Sequence, residues 1–327
     1  MPNTSVKLRM LNLMKILLEK TDEKHVLSAT DLDKELSAYD MSANRKTIYS
    51  DIEVLRDFGI DIIQVKGANS GYYVGSREFE LPELKLLVDA VQASKFITSR
   101  KSQELIGKLE SLTNKYDAQQ LHRDVYIHNR PKADNETIYY NVDKLHMAMH
   151  DNKQIKFQYT EWTPQKKLTL KKDGKQYIVS PWALTWEYEN YYLIAYDKNS
   201  DEIRHYRVDK IKDIELTGDK RIGKHRFQDF DVVAFTKKTF AMYGGTDENI
   251  TLLCHNSLAG VILDRFGKEI IMVPTDKEYF KINIEVAVSS QFFGWVTGMG
   301  EFMEIISPPH IRETYQQYLR DILGKYK

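Results

Sequence analysis

Near Asp151 the spacing of apolar residues along this chain changes from helical to alternating. Before it they recur mainly at three- and four-residue intervals: Met10, Leu13, Met14 and Leu17 predict one helix face, Ile48, Ile52 and Leu55 another, and Leu84, Leu87, Val88 and Val91 a third. After it they alternate, with Ile155, Phe157 and Tyr159 on one side of a strand. A helix-period pattern does not settle into a sheet, so a mainly helical first part and a β-rich later part must form separately. At 327 residues the chain is long enough for two or three compact units.

No apolar run approaches the roughly 20 residues needed to cross a bilayer, and the first helix mixes basic and polar residues among its apolar ones, so neither a membrane span nor a secretion signal is expected. The one cysteine, Cys254, excludes an internal disulfide and a cysteine metal cluster; a reducing, cytoplasmic location is expected. Lys and Arg number 47 and Asp and Glu 47, a balance that argues against gripping nucleic acid by bulk charge. The balance is uneven, since sixteen basic residues stand against twelve acidic ones over 150–226.

The first helix should begin near Lys7. Ser28-Ala29-Thr30-Asp31 marks a second helix start, with Leu32 and Leu36 on its inner face. After a turn at Ser37–Asp40, Ser42 is placed to cap a third helix that Gly59 ends, with Asn44, Arg45, Lys46, Thr47 and Tyr49 facing outward. Ile60–Gln64 and Gly71–Val74 predict two short strands around a polar turn that begins with Lys66. Helix, short helix, turn, basic-tipped helix and hairpin is the order of a winged helix-turn-helix. The run Asn44-Arg45-Lys46-Thr47-Ile48-Tyr49-Ser50-Asp51-Ile52, followed by Leu55 and Gly71-Tyr72-Tyr73, resembles the N-terminal domain of bacterial DeoR-type regulators. That resemblance implies duplex DNA contacts along this helix, and Ser42, Asn44, Arg45, Lys46, Thr47, Tyr49 and Lys66 are the expected DNA-binding residues. Ser50 departs from the pattern, which is often basic there. Exposed basic helix faces are commonly only solvated, so the order of the motifs carries this expectation and the charge does not.

Two helices are expected between Pro82 and Asn114, then a linker over His128–Asn135. In a following helix, Ile138–Asp151, His146 and His150 have the spacing that lets two imidazoles meet one metal, but no third ligand or adjacent Glu accompanies them and no metal is expected. Beyond it, Leu168–Leu170 and Tyr177–Val179 flank an Asp-Gly pair and predict a hairpin; Tyr191–Tyr196 and Ile203–Val208 predict another. Such closely spaced antiparallel strands suggest a small barrel. Ser180-Pro181-Trp182-Ala183-Leu184, then Tyr191–Asp197, then Arg204-His205-Tyr206-Arg207-Val208-Asp209-Lys210-Ile211 resemble the WYL domain, an Sm-like barrel of bacterial regulators, with Tyr191 in place of the name-giving Trp. The resemblance implies a sensor for a negatively charged ligand, with nucleotides or single-stranded DNA the class proposed for the family. Tyr159, Ser180, Trp182, Tyr192, Arg204, His205 and Arg207 are the expected ligand-binding residues. Strand alternation sends Arg204 and Arg207 to opposite faces, and the aromatic residues have a competing fate as barrel core.

From Ile250 the order strand, helix, strand, strand, helix, strand and final helix predicts a ferredoxin-like unit, and Phe292–Pro309 is similar to the extension that follows WYL domains. The expected fold is α+β and multidomain: a winged helix-turn-helix (1–76), a helical connector (77–135), a WYL domain with an Sm-like small β-barrel (136–226) and a ferredoxin-like C-terminal extension (227–327). The expected function is a ligand-responsive, homodimeric transcriptional regulator with a duplex DNA operator, a nucleotide or nucleic-acid effector, no cofactor and no membrane partner. A nucleotide- or nucleic-acid-binding scaffold without operator binding is an alternative. An enzyme is the weaker one, since phosphate-loop, nucleophile-elbow and HExxH motifs are absent and Cys254 falls in a strand where a buried, inert thiol is expected.

Overall fold

The structure is a computed structural model and describes residues 2–67, 69–121, 132, 137–187, 189–227, 238–240 and 242–326. The chain divides into two compact units, 1–136 and 137–327. The linker expected over His128–Asn135 lies, apart from Lys132, outside the described residues.

In the first unit, α1 (Pro2–Lys20), α2 (Ala29–Ser37) and α3 (Arg45–Asp57) meet over Leu13, Leu17, Leu32, Leu36, Ile48 and Ile52, all fully buried. α1 thus begins several residues ahead of the Lys7 start. A reciprocal cap opens α2: the Ser28 hydroxyl accepts from the Asp31 amide at 3.2 Å, and the Asp31 carboxylate accepts from the Ser28 hydroxyl at 2.6 Å and from the Ser28 amide at 3.1 Å, bonds that hold the Asp31 pKa below its usual value. The cap of α3 is Asn44, not Ser42. Its Oδ1 accepts from the Thr47 amide at 3.0 Å, while the Asp33 carboxylate takes the Ala43 amide at 2.8 Å and leaves Ser42 exposed ahead of the helix. Gly59, at φ +108, ends the helix as expected.

β1 (Ile62–Val65) and β2 (Gly71–Val74) pair antiparallel. Leu27 and Tyr72 exchange backbone hydrogen bonds of 3.0 and 2.8 Å, and this approach requires glycine at 71, where a Cβ would sit 2.8 Å from the Leu27 carbonyl. Arg77 donates to the Leu18 and Thr21 carbonyls at 3.0 and 2.7 Å, satisfying the end of α1. Arg9 clamps Asp51 through two hydrogen bonds of 2.9 and 3.2 Å and so ties α1 to α3.

The two helices expected between Pro82 and Asn114 form as α4 (Leu81–Ala93) and α5 (Ser99–Glu110), and a further one, α6 (Lys115–Leu121), follows them. Asn114 is a helix start because its buried Oδ1 accepts from the Tyr116 and Asp117 amides at 2.9 and 3.0 Å. His25 stacks on Tyr116 with ring centroids 3.4 Å apart, which packs this segment with the N-terminal elements.

The second unit opens with α7 (Thr137–His150), then β3 (Lys153–Trp162), β4 (Leu168–Leu170), β5 (Gln176–Glu187), β6 (Asn190–Asp197), β7 (Glu202–Arg207), β8 (Ile211–Lys220) and a single turn, α8 (Lys224–Phe227). The hairpin expected between Leu168–Leu170 and Tyr177–Val179 does not form. Both segments pair with β3 instead. Thr160 pairs with Leu170 and Gln158 with Gln176, so two steps along β3 face six along the returning chain, an insertion of four residues. Lys172, Asp173 and Gly174 have φ of 52, 54 and 80, a left-handed run that turns the chain out of the ladder and back. β8 is a strand beyond those expected and pairs with β3.

C-terminal to these strands are β9 (Thr246–His255), α9 (Ala259–Phe266), β10 (Met272–Pro274), β11 (Tyr279–Val288), α10 (Ser290–Gly298), β12 (Met303–Ser307) and α11 (Pro309–Gly324). The antiparallel strand order is β10, β11, β9, β12. Leu252, Cys254, Ile262, Ile282, Phe292 and Ile305 form the core, and Tyr315 and Tyr318 of the final helix cover it beside Phe293.

Replacing Asp51 by Ala strands the Arg9 guanidinium in a mostly buried position and should cost on the order of 3 kcal/mol in a denaturant melt. The paired replacement Arg9→Met with Asp51→Leu should recover much of that loss.

Candidate functional site

β7 pairs with β6 on one side and, among the described residues, with no strand on the other. An open cavity of about 670 Å³ wraps around this edge. Because the cavity spans the edge, residues from both faces of β7 reach it, and Arg204 and Arg207 contribute to the same walls despite their alternation. Tyr159, Tyr192 and His205 also line it. Five of the seven expected ligand residues are therefore brought together.

Ser180 and Trp182 are not. Ser180 is buried, and its hydroxyl accepts from the Ile222 amide at 3.0 Å. β5 carries a bulge between Pro181 and Ala183, where proline supplies no ladder donor, and Trp182 leaves the sheet there. The Trp182 indole donates to the Ile222 carbonyl at 3.0 Å, its ring stacks on Phe227 at 5.0 Å, and Arg221 lies over it at 4.4 Å. Both side chains fasten the chain leaving β8 to β5.

Within the cavity the aromatic residues are tightly ordered. Tyr206 meets Phe157, Tyr159 and Tyr177 edge-on at 5.2, 5.9 and 5.9 Å. The Tyr159 hydroxyl accepts from the Arg207 amide at 3.1 Å, and burial pushes its pKa up to about 12. Burial likewise raises the pKa values of Tyr192, Tyr177 and Tyr206 and lowers that of His205, the last partly offset by the Met242 backbone. The tyrosines remain phenols and the imidazole neutral at pH 7. The Tyr206 hydroxyl is buried and meets no partner in full hydrogen-bond geometry among the described residues; the nearby Arg204, by its charge and as a donor, offsets part of the rise in its pKa.

Arg207 is held in place by its neighbours. Its Nε and Nη2 donate to the two Asp209 oxygens at 3.0 and 2.8 Å, and Nη2 also to Asn190 at 2.9 Å. Burial opposes its charge, but the Asp209 carboxylate outweighs that and raises the Arg207 pKa. Arg204 lies between Asp197 at 3.6 Å and Glu202 at 3.4 Å with its side chain 42% exposed. The residues missed by sequence reasoning come from elsewhere: Lys171 and Lys172 from the four-residue insertion, Lys210 after β7, and Met242, Tyr243 and Gly244 from the segment before β9. The Lys172-Asp173-Gly174 run signals a turn, but nothing local in the sequence places Met242 beside β7.

In the first unit, Arg45, Lys46 and Tyr49 are exposed on α3 and Lys66 is exposed after β1. Arg45 reaches the Thr30 hydroxyl at 3.3 Å. Asn44 and Thr47 are bonded to each other as the α3 cap, Ser42 is exposed, and Tyr49 lies 6.1 Å from the Tyr72 ring. His146 and His150 are both exposed on α7, and among the described residues no group of three metal-ligating side chains occurs.

Residues 140–216 match the WYL domain and residues 246–323 the WCX domain. The chain thus carries a WYL domain followed by a WCX domain. Over 296 residues, 86% of this chain and 90% of the relative, it is 21% identical to the uncharacterized HTH-type transcriptional regulator YobV of Bacillus subtilis (strain 168). Among solved structures it is similar to proteasome accessory factor B/C (PafBC) of Arthrobacter aurescens, at 17% identity and a TM-score of 0.30. That match covers 99% of this chain, which spans about half (49%) of PafBC. It is also similar to a CRISPR Cas-related protein, at 11% identity and a TM-score of 0.37, covering 99% of this chain and 85% of that one. No helix among the described residues is long and apolar enough to cross a membrane.

The cavity and core of this WYL-domain protein yield two expected outcomes. Tyr206→Phe removes a hydroxyl that has no partner among the described residues, so its melting temperature should equal or exceed that of the parent chain. Cys254 is fully buried in the WCX core and burial pushes its thiol pKa up to about 11, so thiol reagents at pH 8 should label it only after denaturation.

Proposed function

We propose that this WYL-domain protein is a ligand-responsive transcriptional regulator. In this reading the first three helices and the β1–β2 hairpin act as a winged helix-turn-helix on duplex DNA, and the strands after α7 form an Sm-like barrel that senses a nucleotide or single-stranded nucleic acid. The C-terminal βαββαβ unit, a ferredoxin-like extension, supports a homodimer that reads two half-sites. The domain limits are those expected from the sequence, and catalysis has no part in the mechanism.

The observation that carries the reading is the face of α3. Arg45, Lys46 and Tyr49 project from the first turns of a helix whose buried side is fixed by Ile48, Ile52 and the Arg9–Asp51 pair, with exposed Lys66 on the adjoining hairpin. A helix so presented suits insertion into a major groove, where arginine reads guanine and lysine neutralises phosphate. Asn44 and Thr47, occupied in capping, serve by fixing the helix start. The second support is the WYL cavity, whose tyrosine faces and cationic side chains suit a base joined to phosphate. Effector and operator affinities would be linked, each ligand changing the other's affinity by the same factor.

Gel shifts with genomic fragments test the reading: sequence-preferring, salt-sensitive duplex binding is expected, and its absence refutes operator recognition. Arg45→Ala should weaken operator binding by about tenfold or more while leaving effector affinity unchanged, as measured by titration calorimetry.

A further inference from the structure

The cations around the WYL cavity are not equivalent. Arg207 spends its Nε and Nη2 on Asp209 and Asn190, and Arg204 sits between two carboxylates. Lys171, Lys172 and Lys210 line the same cavity, and the side chains of all three lack a hydrogen bond or ion pair among the described residues. The pKa of Lys210 is lowered, first by burial and then by the like charges of Arg207 and Lys171, against which Asp209 and Glu161 act only in part. Positive charge is therefore concentrated here beyond what the surrounding acids neutralise.

Two of these lysines are placed by an unusual piece of backbone. The four extra residues between β4 and β5 are turned out of the ladder by left-handed Lys172 and Asp173, conformations that cost energy in non-glycine residues. The Gln158 amide donates to the Gly174 carbonyl at 2.8 Å and fixes the insertion against β3. Lys175, at its far end, lies over the Tyr177 ring at 5.7 Å and does not line the cavity. The insertion thus sends Lys171 and Lys172 to the cavity and keeps Lys175 on an aromatic ring.

We infer that Lys171, Lys172 and Lys210 form a phosphate subsite that holds the backbone of a single-stranded nucleic acid while a base lies against the cavity tyrosines. Lysines from two separate segments, the insertion and the residues after β7, suit consecutive phosphates better than one terminal group. Ammonium groups act as point charges and tolerate a mobile backbone, whereas the fixed fork of Arg207 is committed to Asp209. This inference rests on the reading of the cavity as an effector site and adds to it the part of the effector recognised.

The test uses the full chain and a fluorescein-labelled oligothymidylate, with binding followed by anisotropy over a range of salt concentrations. The double variant Lys171→Gln, Lys172→Gln should bind about tenfold more weakly, and its dependence of log affinity on log salt should flatten by about 0.7 for each phosphate that the variant no longer neutralises. Lys175→Gln should change neither quantity, and thermal melts should show all variants folded like the parent. An unchanged double variant, or an equal loss in Lys175→Gln, overturns the lysine subsite and leaves the effector-site reading standing. Failure of the parent chain to bind the oligonucleotide at low salt overturns the subsite as well, and failure to bind a mononucleotide too overturns the effector-site reading.

Discussion

Strand β3 is paired on both edges, with β5 along one and β8 along the other, so that Ile155 faces Val179 on one side and Leu216 on the other. This double pairing buries Ile155 and Phe157 completely and fixes where the returning chain must run. The four-residue insertion is forced outward because the ladder on either side of it is already in register. The aromatic cluster begins from the same strand: Phe157 supports Tyr177 and Tyr206, while Tyr159 receives the Arg207 amide. The cavity is in this sense a by-product of a strand paired on both edges, beside one, β7, that among the described residues pairs on one.

Charge is handled differently in the two units. In the first, the acids that could oppose phosphate binding are used internally: Asp51 binds Arg9, Asp31 and Asp33 fix the start of α2 and the turn before α3, and Glu35 pairs with Lys20. The exposed start of α3 is left polar and basic with little excess charge in the unit as a whole. Around the cavity the acids instead orient arginines, and lysines supply the remaining positive charge. A formal net charge of zero is compatible with both arrangements, because what matters to a phosphate is the charge within a Debye length, about 10 Å at moderate salt.

Much of the fold was legible in the sequence. Helical spacing located α1 to α5 and α7, the Ser28–Asp31 box marked α2, and the C-terminal order of strands and helices is close to that observed. The failures have local causes. Ser42 and Asn44 are both good caps, and the Asp33 bond to the Ala43 amide decides between them. Asn114 resembles a helix end until its buried side chain is seen to cap the next helix. The Asp-Gly pair at 173–174 satisfies hairpin chemistry, yet both flanking strands found a better partner in β3. At the cavity, aromatic and arginine residues could be picked out by type, but Ser180 and Trp182 were drawn away by the bulge at Pro181 and by the chain around Ile222.

The sequence alone determined the elements, the alternation along β7 and the chemistry available to it, since these depend on contacts among residues close in the chain. Tertiary structure decided which of those groups are free. Arg207 is committed because Asn190 and Asp209 meet it, the Tyr206 hydroxyl is enclosed among rings that offer it no acceptor, and Lys171 and Lys172 reach the cavity because a four-residue insertion had nowhere else to go. Each outcome depends on pairing between segments distant in sequence, where side-chain type sets what a group can do and packing sets what it has left to do it with.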